Sequence, residues 1–301
     1  MKKKVSIVLV NYNTTQDTIE CIKSLEKIDY NNFDIIVVDN KSRQDEFYEL
    51  DKFIKNIKNC ILISSDKNGG FAYGNNIGIK LAKKRKSDFI LLLNSDTEVE
   101  KDFLNYLVAT IEEDVKSIAI AIGKINYYYD KKKIWYGGGT INWRNYTGVH
   151  FGENQSDNGQ CDIKKEITFA TGCAMLINAN INTDITLPEE YFMYYEDVDF
   201  CARLVNEGFK IIYEPKAVIY HKVGVAGGGE MSPFTLRWSN RGRIIFMNKY
   251  KNQTTKLNMI IIKNKFYITR FIKSIVLICK KENKKAIELI RGTLDGIKIS
   301  I

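Results

Sequence analysis

The sequence predicts an α/β protein built on a mostly parallel sheet. Five short runs are apolar throughout rather than alternating, which is typical of strands buried on both faces. These runs are residues 5–10, 34–39, 60–64, 88–93 and 118–122. Amphipathic stretches near residues 17–27, 44–56, 73–85 and 101–112 lie between them and indicate helices. Repeated strand–helix units of this kind favour parallel strands joined by right-handed crossovers.

The pattern changes after this first part of the chain. Residues 125–165 are rich in Tyr, Gly, Asn and Trp and indicate β-hairpins and loops inserted beside the sheet. The elements predicted after the insert are a strand at 168–177, a helix near 196–207, strands at 210–213 and 217–220, a glycine-rich loop at 224–229 and two or three closing helices.

Composition excludes several classes of protein. The chain has 301 residues, of which 45% are hydrophobic and 27% charged, so it can build one or two domains with a real core. Six cysteines without a CxxC pair argue against a disulfide scaffold, a zinc ribbon and a thioredoxin-type site. We therefore expect a reduced, cytosolic compartment, and the lack of a long uncharged apolar run predicts no membrane-spanning helix.

Positive charge is concentrated at the C-terminus. The formal net charge is +9, yet residues 241–301 hold 15 Lys and Arg against three acids, which leaves −3 for residues 1–240. Lys256, Lys263 and Arg270 recur every seven residues beside many apolar positions. Such a basic amphipathic helix suits an anionic membrane surface. The alternatives are a helix packed on the core with solvated lysines, or a homodimer contact; no nucleic-acid-reading motif is present.

Polar side chains follow the first four predicted strands. They include Asn11, Asp39, Asn68 and the Asn94-Ser95-Asp96 triplet. Ligands of open α/β sheets bind beyond the carboxyl ends of the strands, so these side chains mark a candidate site. The chain has no GxGxxG after the first strand, which excludes a dinucleotide-binding fingerprint, and no GxxxxGK[ST] phosphate loop.

Each of these positions has a functional and a structural interpretation. Asp39 could accept hydrogen bonds from a nucleobase or ribose, or it could cap a helix. The Asn68–Phe71 turn, with Gly70 and the nearby Asn76, could bring backbone N–H groups to an anion, although Asn-Gly is also a common turn. Asp96 follows a buried strand and could hold a divalent cation on a diphosphate, or it could cap the next helix.

A second acidic cluster follows the aromatic run 191–195. It comprises Glu196, Asp197 and Asp199, and helical spacing would place Glu196 and Asp199 on one face. A carboxylate against aromatic walls can be tuned for proton abstraction, whereas acids in a first turn can also simply favour the helix dipole. His221, one of two histidines, could bind a metal or phosphate or be structural; His150 has no assigned role.

Seven segments taken together resemble glycosyltransferase family 2, with the GT-A fold, and in particular its bacterial rhamnosyltransferase-like branch. They are VSIVLVNYN, DIIVVDNKS, NGGFAYGNNIGI, LLLNSDTEV, FATGCAMLI, FMYYEDVDFCARL and IIYEPKAVIYHKVG. The segment SPFTLRWSNRGRIIF at 232–246 is also similar to that branch. The resemblance implies a GT-A domain over residues 1–250, with a donor half to about 124 and an acceptor half from about 125, followed by basic amphipathic helices over 251–301.

The resemblance also implies roles for the candidate residues. Asn11, Asp39 and Asn68 would surround the nucleotide, and Gly70, Asn76 and Asn94 would also belong to the substrate site. Asp96 and His221 would hold Mg²⁺ or Mn²⁺, with Asn94 standing where the family's metal motif has its first Asp. Asp197 would be the catalytic base of an inverting displacement, and Glu196 or Asp199 would orient the acceptor or support the helix.

The implied donor is a nucleotide-diphosphate sugar, dTDP- or UDP-linked, with rhamnose as the expected sugar. The implied acceptor is a glycan or a polyprenyl-diphosphate-linked glycan of a cell-surface polysaccharide. Trp135 and Trp143 of the insert would help to bind it, and the basic C-terminal helices would hold the enzyme on the cytosolic membrane face. The alternatives are a nucleotidyltransferase, whose Gly-rich basic loop after the first strand is lacking, and a non-catalytic nucleotide-sugar- or glycan-binding module.

Overall fold

A computed structural model describes residues 2–223 and 231–299. The first part of the chain alternates strands and helices, as its apolar periodicity predicts. Its elements are β1 (Val5–Asn11), α1 (Thr15–Leu25), β2 (Phe33–Asp39), α2 (Gln44–Ile54), β3 (Cys60–Ser64), α3 (Gly70–Lys84), β4 (Phe89–Asn94), β5 (Thr97–Val99), α4 (Phe103–Glu112) and β6 (Ile118–Tyr127). The five predicted strands and four predicted helices are confirmed, with β6 five residues longer at its end.

The second part adds the insert and the closing helices. Its elements are β7 (Ile134–Tyr136), β8 (Gly139–Asn142), β9 (Thr147–His150), β10 (Lys165–Ile167), β11 (Ala174–Asn178), α5 (Glu196–Asn206), β12 (Lys210–His221), α6 (Pro233–Lys249), a short 3₁₀ turn (Lys251–Gln253), α7 (Lys256–Cys279) and α8 (Asn283–Ile299). The hairpin character of the insert is confirmed, because β8 pairs antiparallel with β9.

The main sheet has the order β10-β12-β6-β11-β4-β1-β2-β3. Strands β4, β1, β2 and β3 are parallel neighbours, β12 is parallel to β6, and β11 runs antiparallel between β4 and β6. Their side chains form one apolar core that is closed to solvent on both faces. The carboxyl ends of the parallel strands therefore meet at one edge, where the predicted polar residues lie.

Two strand predictions are wrong in their bounds. The apolar run 168–177 forms a strand only over Ala174–Asn178, since residues 168–173 lead into it without strand pairing. The segments 210–213 and 217–220 are one strand, β12, whose pairing with β6 is irregular between Glu214 and Val218 because Pro215 lies there. The predicted glycine loop at 224–229 lies outside the described residues.

The last helices pack onto the domain, and α7 has two different faces. Met259, Phe266 and Leu277 are buried against the rest of the protein. The opposite face exposes a stripe of large apolar side chains at alternating spacings of three and four, broken once by Asn264. Its members are Leu257, Ile261, Ile268, Phe271, Ile275 and Ile278, and each is 45–68% exposed.

The cations of α7 do not lie where the sequence analysis placed them. Lys263 and Arg270 are on the inward face, where they donate to the side-chain oxygens of Asn248 and Asn240 on α6. The expectation of solvated lysines is therefore wrong for these residues, because helical spacing puts them with Phe266 rather than with the exposed stripe. Among the described residues, no helix is long and apolar enough to cross a membrane.

Gly70 shows why the turn before α3 needs glycine. Its φ is +87°, and a Cβ at this position would lie 2.0 Å from the carbonyl oxygen of Phe192. The next residue, Phe71, donates its backbone N–H to that oxygen at 2.9 Å. Gly70 thus lets the chain before α3 dock on the segment that leads into the acidic cluster of α5.

We predict that Gly70→Ala destabilises the protein by about 2 kcal/mol or more, since a positive φ and a backbone clash act together. Gly208→Ala is the matched control, because Gly208 has a φ of +88° but nothing within 4 Å of its Cβ position. That control should lose only about 1 kcal/mol. Urea denaturation of both variants measures the difference, and equal losses would contradict the docking role of Gly70.

Candidate active site

A cavity of about 470 Å³ opens at the carboxyl-end edge of the sheet, a usual size for a small-molecule site. Asp96 and Asp197 both line it, although about a hundred residues separate them in sequence. Asn94, Glu196 and His221 line it as well. The structure therefore brings together the candidate metal ligands, the candidate base and two of the predicted substrate-binding residues.

Asp96 and His221 meet because β5 pairs antiparallel with the end of β12. Thr97 is opposite His221 in that pairing, and the backbone N–H of Lys222 donates to the carbonyl of Asp96 at 2.9 Å. The two side chains then face each other, with His221 Nε2 3.1 Å from Asp96 Oδ1. Both side chains are more than nine-tenths buried.

The charge state of His221 follows from its neighbours. Burial alone disfavours the imidazolium, but Cys173 and Asp96 beside it raise the pKa of His221 well above its ordinary value. Asn94 also lies close, with its Nδ2 3.4 Å from His221 Nε2. The three side chains form one compact polar group at the end of β4.

The donor set of this group fits a divalent cation that is completed by substrate. A carboxylate oxygen and an imidazole nitrogen converge at the cavity wall, and a cation bound there would take the place of the proton that His221 holds beside Asp96. Mg²⁺ usually takes only one or two protein carboxylates with phosphate oxygens and water. Within residues 2–223 and 231–299, no group of three or more His, Cys, Asp or Glu side chains could hold a metal. The residues therefore fit an ion held jointly with a diphosphate.

The acidic cluster enters the cavity through a strained turn. Tyr194 and Tyr195 have φ angles of +67° and +77°, a conformation that is rare for bulky side chains and costs about 1–2 kcal/mol each. Gly242 on α6 permits the turn, since a Cβ there would lie 2.8 Å from the Tyr194 carbonyl oxygen. Helix α5 begins directly afterwards at Glu196.

Asp197 is held by two backbone N–H groups. Gly172 donates to its Oδ2 at 3.0 Å, and Val198 donates to its Oδ1 at 2.8 Å. Burial raises the pKa of Asp197 despite these hydrogen bonds, which act in the opposite direction. A carboxylate that is fixed in orientation and more basic than usual has the properties of a general base.

Glu196 is more deeply buried than Asp197 and lacks a full set of partners. Its Oε2 has no hydrogen-bond partner among the described residues, and its side chain lines the cavity. Burial, and secondly the charge of Asp197, raise the pKa of Glu196 well above its ordinary value. Glu196 therefore keeps its proton to a higher pH than an ordinary glutamate and, while protonated, can donate a hydrogen bond into the cavity.

Asp199 does not belong to the cavity. Its carboxylate accepts from Lys249 Nζ at 2.6 Å and from the Tyr250 hydroxyl at 2.7 Å. These contacts fasten α5 to the end of α6, as the helix-supporting alternative expects, and a contact of Asp199 with substrate stays a prediction. The i,i+3 spacing from Glu196 does not predict these contacts, since the strained turn before α5 sets which side of the helix faces the cavity.

Asn11 and Asp39 lie side by side at the ends of β1 and β2, where they are opposite one another in the pairing. Asn11 Nδ2 donates to Asp39 Oδ1 at 2.9 Å, and the backbone N–H of Ser42 donates to Asp39 Oδ2 at 3.0 Å. Neither residue lines the cavity, and both are almost fully buried. They shape the strand-end edge, and their contact with a nucleotide stays a prediction.

The turn before α3 is likewise closed on itself. Asn68 Oδ1 accepts from Asn40 Nδ2 and from the backbone N–H of Gly70, both at 3.1 Å. The Asn76 side chain exchanges hydrogen bonds with the backbone of Leu187 at 2.8 and 2.9 Å and does not line the cavity, so its contact with substrate stays a prediction. Gly70 serves the contact with Phe192 described above, and a direct contact of Asn68 or Gly70 with substrate stays a prediction.

The aromatic insert contributes one wall of the cavity. Trp135 lines it and packs edge-on against His221, with ring centroids 4.5 Å apart. Trp143 does not line it, because the indole stacks on Phe246 of α6 with ring centroids 5.6 Å apart; its contact with an acceptor stays a prediction. The sequence alone does not show which of the two tryptophans, Trp135 or Trp143, lines the cavity.

His150 also lines the cavity, although the sequence analysis gave it no role. It lies between Trp135 and Phe169, and burial lowers the pKa of His150 to about 4. A neutral imidazole in this position can donate or accept a hydrogen bond. Phe234, Thr235 and Ser239 of α6 complete the opposite rim, where only the similarity of the 232–246 segment could have indicated them.

With this geometry established, comparison with known proteins identifies the class. The sequence model of the family described as "Glycosyl transferase family 2" matches residues 6–186, and the chain belongs to that family. The structure superposes on GalNAc-T7, solved with UDP, GalNAc and Mn²⁺, with a TM-score of 0.63 and 16% identity over 81% of this chain and 47% of the other. For the mannosyltransferase PcManGT from Pyrobaculum calidifontis the TM-score is 0.58, with 10% identity over 99% of this chain and 88% of the other. The fold is therefore GT-A.

Two curated relatives are informative. Glycosyltransferase GlyG of Streptococcus pneumoniae is 30% identical over 44% of this chain and 42% of its own length. The dTDP-rhamnosyl transferase RfbF of Shigella flexneri is 22% identical over 99% of this chain and 97% of its own. The alignments thus span less than half of GlyG and of GalNAc-T7 but nearly all of RfbF.

We predict that Glu196→Gln changes how stability depends on pH. Glu196 keeps its proton in the folded state above its ordinary pKa of 4.5 but loses it on unfolding, so stability falls as pH rises towards the folded pKa. Removing this group should flatten the decline by up to about 1.4 kcal/mol per pH unit. Thermal melting from pH 5 to 9 tests this, with the exposed Glu49→Gln as control; parallel curves for both variants would refute a neutral Glu196.

Proposed function

We propose that this protein is an inverting glycosyltransferase that moves a sugar from a nucleotide-diphosphate donor to a hydroxyl group of a glycan acceptor. One observation carries the proposal: the Asp96–His221 pair and Asp197 line the same cavity. One end of the cavity can neutralise a departing diphosphate, and the other can activate an incoming alcohol. Family membership supports the same reaction class.

Asp197 would remove the proton from the acceptor hydroxyl as that oxygen attacks the anomeric carbon. The bond from the anomeric carbon to the diphosphate breaks in the same step, and the bond to the acceptor oxygen forms on the opposite face. The N–H groups of Gly172 and Val198 fix the carboxylate for this transfer. Positioning of this kind converts an encounter of two substrates into a reaction within one complex.

Asp96 and His221 would hold Mg²⁺ or Mn²⁺, which would supply positive charge to the leaving diphosphate. GalNAc-T7 was solved with UDP and Mn²⁺, and PcManGT with GDP-Man and Mn²⁺, which supports this choice. Asn94 contributes no charge in a position where a second carboxylate would contribute one. We therefore expect metal affinity to depend strongly on bound diphosphate.

The donor is proposed to be a dTDP- or UDP-linked sugar, with rhamnose favoured. The support is the likeness to the dTDP-rhamnosyl transferase RfbF over nearly the full length of both chains. Asn11, Asp39 and Asn68 would contact the nucleotide from the neighbouring strand ends. The acceptor would enter from the side of Trp135 and His150, since aromatic faces suit sugar rings.

We predict that Asp197→Asn lowers turnover by about 10² or more, the usual scale for a general base, while nucleotide binding is retained. Asp96→Ala, by contrast, should weaken nucleotide binding, because the increase in affinity that a divalent cation gives should be lost. Calorimetric titration with UDP and dTDP, with and without Mn²⁺, and assays with a panel of nucleotide sugars measure both effects. Full activity of Asp197→Asn would refute the role of Asp197 as the base. Nucleotide-sugar binding without any turnover in the unaltered protein would favour a non-catalytic binding module.

The exposed stripe of α7 is proposed to rest on an anionic membrane at the cytosolic face. Helix α7 contains no acidic residue, and the exposed Lys256, Lys265 and Lys280 lie along or beside the stripe. Apolar burial and attraction to anionic lipid would act together there. Pairing with α7 of a second copy is disfavoured, because it would bring two acid-free cationic helices together.

The double variant Phe271→Glu with Ile275→Glu should reduce binding to phosphatidylglycerol vesicles by about tenfold or more, since it removes apolar area and adds repulsion. Ile163→Glu is the control, because Ile163 is 73% exposed on the insert and far from α7 in sequence. Vesicle sedimentation and light scattering are measured together. Unchanged sedimentation with a loss of dimer mass would assign the stripe to a second copy instead.

A further inference from the structure

The seam between α6 and α7 contains a group of cations without acidic partners. Arg243 lies on α6, and Arg270 and Lys273 lie on the inward face of α7. Within the described ranges, none of the three forms a salt bridge. On the same helix α6, by contrast, Arg237 pairs with Glu288 and Asp295, which shows that this region does supply acids to other cations.

The two arginines converge on one aromatic ring. The guanidinium carbons of Arg243 and Arg270 lie 5.0 and 5.1 Å from the ring centre of Phe266. Burial, followed by the charge of Arg243, lowers the pKa of Arg270, and burial with the charge of Arg270 lowers that of Lys273. Like charges held this close repel one another, so the arrangement is destabilised until an anion joins it.

The hydrogen-bonding capacity of the group is largely unused. Arg243 Nε donates to the carbonyl of Asn145 at 2.8 Å, and Arg270 Nη1 donates to Asn240 Oδ1 at 3.1 Å. The buried Nε of Arg270 has no partner in the described structure. Each guanidinium carries five N–H donors in a planar fork that matches phosphate oxygens, so most of these donors are available to a ligand.

This group lies next to the candidate active site. Tyr195 lines the cavity, and the charges of Arg243, Arg270 and Asp197 all act on its hydroxyl group. Gly242, which precedes Arg243, is in contact with the Tyr195 ring, since a Cβ there would lie 3.0 Å from Tyr195 Cδ2. One aromatic residue therefore links the cations to the proposed base.

We propose that Arg243, Arg270 and Lys273 form an anion site that binds the diphosphate of a lipid-linked acceptor. The proposal rests on the proposed function, and it specifies the acceptor class: a sugar joined to a lipid through phosphate. Helix α7 has the two surfaces that such an amphiphile needs, because cations lie on its inner face and apolar side chains on its outer face. The diphosphate would then lie on the side of Tyr195 that faces the seam between α6 and α7, while the sugar hydroxyl reaches Asp197 in the cavity.

Farnesyl diphosphate is a suitable probe, titrated in EDTA so that no divalent cation supports diphosphate binding at Asp96 and His221. The double variant Arg243→Gln with Arg270→Gln should weaken binding by about tenfold or more, since charge-assisted contacts to phosphate are lost. Lys284→Gln, a charge loss at an exposed position of α8, should leave the affinity unchanged. Farnesol, which lacks the diphosphate, should bind all proteins equally weakly.

Two further measurements separate the possible outcomes. Phosphatidylglycerol vesicle binding should be the same for the unaltered protein and the double variant. If the double variant lost vesicle binding but kept its farnesyl diphosphate affinity, the acceptor assignment would be overturned. The cations would then bind lipid headgroups. Equal farnesyl diphosphate affinity and equal vesicle binding would overturn the anion site. The Arg243→Lys, Arg270→Lys pair keeps both charges and, if the melting temperature is unchanged, should recover part of the affinity.

This test does not depend on turnover. Asp197→Asn should bind farnesyl diphosphate as the unaltered protein does, because Asp197 acts on the acceptor hydroxyl and not on its diphosphate. If Asp197→Asn retained full activity while the arginine variant lost affinity, the proposed base would be wrong and the anion site would stand.

Discussion

The three-residue pairing of β5 with the end of β12 is the contact on which the site depends. It places Thr97 opposite His221 and so brings Asp96 to the imidazole across more than a hundred residues. Two polar side chains so deeply buried would each cost stability alone, and their contact offsets part of that cost. The same contact leaves a carboxylate oxygen and a ring nitrogen at the cavity wall, where the proposed reaction would need a positive charge.

A second constraint determines the part of the cavity wall that carries Glu196 and Asp197. Tyr194 and Tyr195 adopt left-handed backbone conformations that a tyrosine does not favour. Gly70 and Gly242 let two neighbouring segments approach this turn closely, one through the Phe192 carbonyl and the other through that of Tyr194. Strain of this kind persists only where surrounding contacts enforce it, and here it delivers Glu196 and Asp197 into the cavity.

The two carboxyl groups that enter there differ in their surroundings. Asp197 accepts two backbone hydrogen bonds, whereas Glu196 Oε2 accepts none, and burial raises the pKa of both. Two neighbouring acids of unequal environment do not ionise together, so one can serve as a base while the other remains a hydrogen-bond donor. Helix α7 has an asymmetry of its own, because Lys263, Arg270 and Lys273 face the protein while large apolar side chains dominate its exposed face.

Much of this follows from the sequence. Continuous apolar runs determined the parallel strands, because a strand buried on both faces cannot alternate, and polar residues at their ends located the edge where Asp96 lies. The similarity of the EDVDF segment pointed to Asp197. Only the tertiary structure decided that Asp199 and Asn76 are fastening residues and that Trp143 packs on α6. It also decided that Lys263 and Arg270 face inward, because spacing gives the periodicity of a helix but not the side that meets the protein.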